Sequence, residues 1–231
     1  MTQHPTGIHH VAFMAADIKK QIAFFSEVLG CPLVALFDMH GVPGGLHAFL
    51  KLDDKTFFSI VQLPGVGDIP AEIGVTHAGW GGGKSAAGTL QHIAFAVADN
   101  DALLAMRDRI RSHGVNVMGP LDHGFCQSIY FGGPDGMTLE ISTATSEVDP
   151  QRWIDPAVCE RAGISAEEAA AFAAPTVFAG ESPVPQPPYD AAKPHMAYPN
   201  PDMYQAMLKV PDAAVFASSA AYAKPPVPEP A

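Results

Sequence analysis

Cysteine, basic charge and long apolar runs are what this 231-residue sequence has least of. Its three cysteines, Cys31, Cys126 and Cys159, are odd in number and lack C-x-x-C spacing, which excludes both a disulfide framework and a cysteine zinc site. They read as reduced thiols. Thirteen Lys and Arg stand against 24 Asp and Glu, a net charge of −11 with no local basic cluster, so a nucleic-acid partner is not expected. No apolar run approaches the roughly 18 to 20 residues of a membrane span. The start, Met1-Thr-Gln-His-Pro, also lacks the basic-then-apolar order of a secretory signal. The expectation is a cytoplasmic protein with no membrane partner. At 48% hydrophobic and 16% charged residues, the chain holds apolar material for one large domain or two small ones.

Proline, by contrast, is plentiful and unevenly placed. Thirteen of the 22 prolines lie beyond Ala174, in segments such as Pro183-Val-Pro-Gln-Pro-Pro188 and Pro225-Pro-Val-Pro228. Proline fixes φ and lacks a backbone donor, so residues 174–231 should run as an extended or polyproline arm. Its aromatics, among them Tyr189, Tyr198, Tyr204 and Phe216, suggest that the arm docks rather than dangles, with a short helix near Ala206 to Leu208. Residues 147–173 read as helical: Asp155-Pro156 looks like a helix start, and Ser165-Ala-Glu-Glu168 is a capping box opening a helix through Phe172.

The remaining region, residues 6–146, repeats itself. Ile8-His-His-Val-Ala-Phe-Met-Ala-Ala-Asp17 lies over Leu90-Gln-His-Ile-Ala-Phe-Ala-Val-Ala-Asp99, placing His10 on His92. In each copy an alternating apolar run predicts a strand, and an Asp then stands where a helix cap belongs. Helical spacing follows, Ile18, Ile22, Phe25 and Leu29 in one copy and Leu103, Met106 and Ile110 in the other, before Gly30 and Gly114 stop the helices. Asp54-Lys-Thr-Phe-Phe-Ser-Ile60 then lies over Asp135-Gly-Met-Thr-Leu-Glu-Ile141, putting Ser59 on Glu140. Each copy reads β-α-β-β-β, over about 6–65 and 88–146, with a glycine-rich insertion at 66–87. The fold class is α+β: paired βαβββ modules forming a curved mixed sheet around a cleft.

Period-2 geometry puts His10, Ala12 and Met14 on one strand face, and His92, Ala94 and Ala96 on the matching face of the repeat. Small neighbours leave room beside the imidazoles. Glu140, flanked by Leu139 and Ile141, would be costly to bury without a cation. Two histidines and one carboxylate form a set that leaves open positions on a divalent metal, so His10, His92 and Glu140 are the candidate ligands.

These modules, with Ile8-His-His-Val, Gln91-His-Ile-Ala-Phe95 and Ser128-Ile-Tyr-Phe-Gly-Gly-Pro-Asp-Gly-Met-Thr-Leu-Glu140, resemble the vicinal oxygen chelate superfamily of glyoxalases, bleomycin- and fosfomycin-resistance proteins and extradiol dioxygenases. The resemblance covers residues 8–143. It implies a metalloenzyme and a homodimer, acting on a small-molecule substrate. Glyoxalase I and the related epimerase place a fourth ligand where Ser59 stands, and Gln62 would substitute only across a bulge, so three ligands favour extradiol or fosfomycin types. In the extradiol pattern a His-Gly precedes a Tyr ten residues before the glutamate ligand; Asp122-His-Gly124 and Tyr130 resemble it, with His123 two residues closer. His77 keeps the family's fifteen-residue offset from His92. The resemblance thus offers His77, His123 and Tyr130 as catalytic residues, either histidine being the base.

The expected function is a non-haem Fe(II) extradiol-type dioxygenase cleaving a small catechol-like aromatic with dioxygen. A non-redox lyase, isomerase or transferase using Mn(II), Zn(II), Ni(II) or Co(II) is one alternative, and a metal-free drug-binding protein is another. Gly79-Trp-Gly-Gly-Gly-Lys-Ser85 ends like a phosphate loop, but Ala78 stands where the first glycine is required. It reads as a flexible lid, with Trp80 a candidate ceiling over substrate.

Overall fold

In the computed structural model, which describes residues 4–180, 183–222 and 224–229, the alternating runs form strands and the capped runs form helices. The first module contains β1 (His10–Met14), α1 (Ile18–Ala23, continued by a π-helical turn, Phe24–Val28), β2 (Leu33–Asp38), β3 (Leu46–Lys51) and β4 (Phe57–Gln62). The second contains β5 (Ile93–Ala96), α2 (Asn100–Ser112), β6 (Val117–Asp122), β7 (Cys126–Gly132) and β8 (Thr138–Ala144). Asp17 caps α1 by accepting from Lys20 N at 3.1 Å, and Asp99 caps α2 by accepting from Ala102 N at 2.8 Å. Gly30 and Gly114 leave both helices with φ near +79° and +78°, the left-handed turn that glycine adopts without a Cβ penalty.

Each module folds its own four-stranded mixed sheet, ordered β1-β4-β3-β2 and β5-β8-β7-β6. The registers repeat as the sequences do. Ala12 pairs with Ser59 between parallel β1 and β4, and Ala94 pairs with Glu140 between parallel β5 and β8. Across the antiparallel neighbours, Ser59 faces Phe49 and Glu140 faces Tyr130. Gln62 is no stand-in ligand: its Oε1 accepts from Ile18 N at 2.7 Å, at the start of α1.

One hydrophobic core joins the modules. Phe25 of α1 and Phe58 of β4 are fully buried and stack at 3.8 Å, and both meet Phe95 of β5 edge-on. Leu103, Ile110, Ile129, Leu139 and Ile141 extend the core through the second module. Polar contacts cross the same junction. Asp135, in the β7–β8 turn, accepts from Ala16 N at 3.1 Å and from Gln21 Nε2 at 2.9 Å. Arg109 of α2 donates to the carbonyls of Val28 and Glu27 at 2.8 and 2.7 Å, closing the end of α1.

After β8 come α3 (Pro150–Trp153), α4 (Pro156–Arg161) and α5 (Ala166–Ala173), the last opened by the expected reciprocal capping box of Ser165 and Glu168. His4–Thr176 forms one compact unit. The second unit begins at Val177 and carries the proline-rich segment with α6 (Pro201–Met207) and α7 (Asp212–Ser218). Helix α6 begins earlier than the expected 206–208, because Asn200 caps it from Asp202 N and Met203 N and Pro201 suits the first turn. Tyr189, His195, Tyr198 and Tyr204 form an aromatic cluster within this unit. Among the described residues, no helix is long and apolar enough to cross a membrane.

Candidate metal centre

Strand pairing alone brings the two principal site residues of the second module together. Glu140 stands midway along β8 beside the edge strand β5, and His92 is the residue that leads into β5. Their side chains meet with Nε2 and Oε2 2.9 Å apart, the carboxylate almost fully buried and the imidazole about one-third exposed. Glu140 is held further by Ser142, whose Oγ donates to Oε1 at 2.6 Å and lies 2.7 Å from Ser128 Oγ. Burial pushes the Glu140 carboxyl up, but hydrogen bonds from Ser128, Ser142 and Tyr130 and the charge of His92 outweigh it and leave it below the usual carboxylate range. The carboxylate is therefore ionised at neutral pH.

Gln91 settles the tautomer of His92. Its Nε2 donates to three carbonyls of the glycine-rich loop, Trp80 O, Gly81 O and Gly83 O, at 3.2, 2.9 and 3.1 Å. Only the NH2 end of an amide can face three carbonyl oxygens, so Oε1 must face the other way, where it bonds His92 Nδ1. An amide oxygen accepts, so Nδ1 carries the proton. Nε2 then faces the ionised carboxylate either as the donor of an imidazolium or, in a neutral ring, as a lone pair that requires a shared cation.

A divalent metal fits that requirement. Imidazole and carboxylate are its usual N/O donors, and two donors about 2.1 Å from one ion at a right angle stand about 3 Å apart, close to the observed separation. Among the described residues, no group of three His, Cys, Asp or Glu side chains converges tightly enough to hold a metal. His10 does not join His92 and Glu140. It lies on the other sheet, exposed, within hydrogen-bonding distance of His9 at 2.9 Å and edge-on to Phe49. Of the three residues expected to converge, His92 and Glu140 lie together and His10 lies apart, because the module junction is built through α1, α2 and the core rather than through the histidine-bearing faces.

The remaining candidates fall unevenly. Tyr130 faces Glu140 across β7 and β8, and burial followed by the Glu140 charge pushes its phenol up. His123 Nε2 lies 3.1 Å from the Tyr130 hydroxyl, so the shortened spacing still delivers it to the tyrosine. His77 bonds Thr76 Oγ1 at 2.8 Å and shares a cavity of about 100 Å3 with His92 and Gln91. Trp80 is 65% exposed and forms no ceiling; Gly81 is the part of the loop that approaches Tyr130. Sequence reasoning passed over Ser128, Ser142 and Gln91. The two serines stand two residues from Tyr130 and Glu140, and strand alternation alone would have put them on the same face.

A larger cavity, about 470 Å3, lies on the opposite side of β1 and β5, lined by Val11, Phe58, Ile93 and Phe95 together with Cys31. Burial pushes the Cys31 thiol up, against the opposing pull of the Arg109 guanidinium.

Over residues 7–141 the sequence matches the family model of the Glyoxalase/Bleomycin resistance protein/Dioxygenase superfamily. Similar solved structures include a glyoxylase/bleomycin resistance protein/dioxygenase domain from Frankia sp. EAN1pec, at TM-score 0.47 and 14% identity over 61% of this chain and 99% of that one. Another is the fosfomycin resistance protein FosX from Listeria monocytogenes complexed with Mn(II) and sulfate, at TM-score 0.42 and 20% identity over 62% and 95%. A third is TnmS3, an antibiotic binding protein from Streptomyces sp. CB03234, at TM-score 0.43 and 20% identity over 62% and 100%.

Proposed function

The chain belongs to the glyoxalase/bleomycin resistance protein/dioxygenase superfamily, and from that premise we propose that it is a metal-dependent enzyme acting on a small substrate with vicinal oxygens. The observation that carries this reading is the His92 Nε2 and Glu140 Oε2 pair at 2.9 Å, with the imidazole proton committed to Gln91 on the far side. The third ligand is His10, contributed by the first module of a second copy in a homodimer; its exposure on the strand face with Ala12 and Met14 leaves it accessible to such a partner.

A divalent ion bound there would act as a Lewis acid and template, favouring ionisation of a substrate hydroxyl. The chain's own residues arrange the rest. Ser142 and Ser128 keep Glu140 oriented and charged, so it repels a second anion and favours a substrate that arrives protonated. The His123 and Tyr130 pair offers a route for that proton, from a substrate hydroxyl near the phenol to the imidazole. His77, on the loop side of His92, is the second candidate base. More narrowly, we favour an Fe(II) extradiol-type dioxygenase acting on a catechol-like ring, supported by the Tyr130 and His123 pairing beside the metal donors.

Metal analysis after anaerobic loading with Fe(II) or Mn(II) should find about one ion per chain in the wild type, and His92→Ala should lose it. Wild-type protein that stays empty in excess metal overturns the enzyme reading. Mixing His10→Ala chains with His92→Ala chains tests the shared site: a ligand set drawn from two copies restores one intact site per mixed dimer, whereas a set within one chain restores none. Oxygen uptake with a panel of catechols tests the narrower claim. A silent panel in metal-loaded protein transfers the assignment to the non-redox group.

A further inference from the structure

Gln91 touches two things that no other described side chain joins. Its Nε2 gathers the carbonyls of Trp80, Gly81 and Gly83, and its Oε1 accepts from Nδ1 of His92. The loop it gathers is tightly folded. A Cβ at Gly83 would stand 2.0 Å from Ala78 O, so that position requires glycine, whereas one at Gly82 would stand 2.5 Å from the exposed Trp80 indole and displace it. Gly81 in turn approaches the ring of Tyr130, where a Cβ would lie at 3.6 Å. The loop therefore forms one wall beside the tyrosine, and one amide fastens it there.

We propose that Gln91 is a positioning residue that couples the Trp80–Gly83 loop to cation binding at His92, a reading that rests on the metal site proposed above. A cation on Nε2 withdraws electron density from the imidazole, which makes Nδ1–H a stronger donor to Gln91 Oε1. The polarised amide then donates more strongly through its NH2 group to the three loop carbonyls, as hydrogen bonds in a chain reinforce one another. The coupling is reciprocal. Holding the loop in place fixes Gln91, which keeps the His92 proton on Nδ1 and leaves Nε2 free as the donor atom. Loop and metal thus stabilise each other through one side chain, with no contact between them needed.

Two substitutions in the full-length chain separate the halves of this device. Gln91→Ala removes both links, whereas Gln91→Glu keeps an acceptor for His92 but turns a carboxylate toward the loop carbonyls. Calorimetric titration with Mn(II) should show affinity about 10- to 100-fold weaker in Gln91→Ala, and at least wild-type affinity in Gln91→Glu. Hydrogen exchange read by mass spectrometry should show that Mn(II) slows exchange of the Trp80–Lys84 segment in the wild type. In both variants that segment should exchange faster and stop responding to Mn(II). Wild-type affinity in Gln91→Ala, or a loop that still responds to Mn(II) in both variants, overturns the proposal. His92→Ala keeps the two readings distinguishable: retained Mn(II) binding in it defeats the metal site itself, while lost binding in it alongside unchanged Gln91→Ala defeats only the coupling.

Discussion

The two modules share a scaffold and differ in what they place on it. At repeat-related positions the second module carries His92, Tyr130, Glu140 and Ser128, and the first carries His10, Phe49, Ser59 and His47. In the second, a buried carboxylate collects hydroxyls and an imidazole. In the first, Ser59 is fully buried and its Oγ lies 2.6 Å from His47 Nε2, while Phe37, Phe49 and Phe57 surround the histidines with aromatic surface. Burial pulls the His47 imidazole down, helped by the charges of His10 and His40, so this face favours neutral imidazole where the other favours a charged carboxylate. Repetition conserves the fold and frees the chemistry: one face becomes a cation-seeking pair, the other an aromatic wall.

That contrast can be broken first at the shared core, where the modules should prove equivalent. Phe58→Ala should cost about 3–5 kcal/mol and its second-module counterpart Leu139→Ala about 2–5 kcal/mol, read from urea unfolding midpoints at constant m. A much smaller loss on one side would mean that the modules do not share one core. At the site, the modules should part company. Glu140→Gln should weaken Mn(II) binding by about 100-fold or more, since even supporting residues around a metal contribute 10- to 100-fold, whereas Ser59→Ala should leave it within about threefold if His10 alone serves from the first module.

The same carboxylate gives a pH signature in metal-free protein. Its folded pKa is lowered, so the stability it contributes is present above its unfolded value, near 4.3, and is lost as the pH falls through the folded value. Unfolding midpoints of the wild type should therefore decline more steeply below about pH 4.5 than those of Glu140→Gln. Parallel curves would show that the hydroxyls around Glu140 do not stabilise its charge. The smallest effect belongs to the caps: Asp17→Ala and Asp99→Ala should each cost about 1 kcal/mol, and similar losses would confirm that the two helix starts are interchangeable devices.

Much of this was legible in the residues. The 82-residue offset of His10 and His92 and the matching late strands, with Ser59 under Glu140, foretold the repeated topology, and the caps at Asp17, Asp99 and Ser165 were each read from side-chain type and position. Alternation also put His92 on the strand face of Ala94 and Ala96, and set Glu140 apart from Leu139 and Ile141. Periodicity says nothing, however, about how two finished modules pack. The separation of His10 from Glu140 follows from contacts such as Phe25 on Phe95 and Arg109 on the end of α1, which join residues about 70 and 80 positions apart and leave no local trace in the sequence. Gln91 escaped notice for a related reason, because its role depends on a loop whose course the glycines permit but do not dictate.

Asp135 ties the two ends of the paired modules together. A single carboxylate from the final hairpin reaches back to the first turn of α1, binding Ala16 N and Gln21 Nε2 across more than a hundred residues of chain. The first helix is therefore finished by a turn of the second module's last hairpin. A chain cut within residues 66–87 would yield two fragments, each lacking groups that the other supplies, and they should regain native structure by complementation when mixed, neither maturing alone.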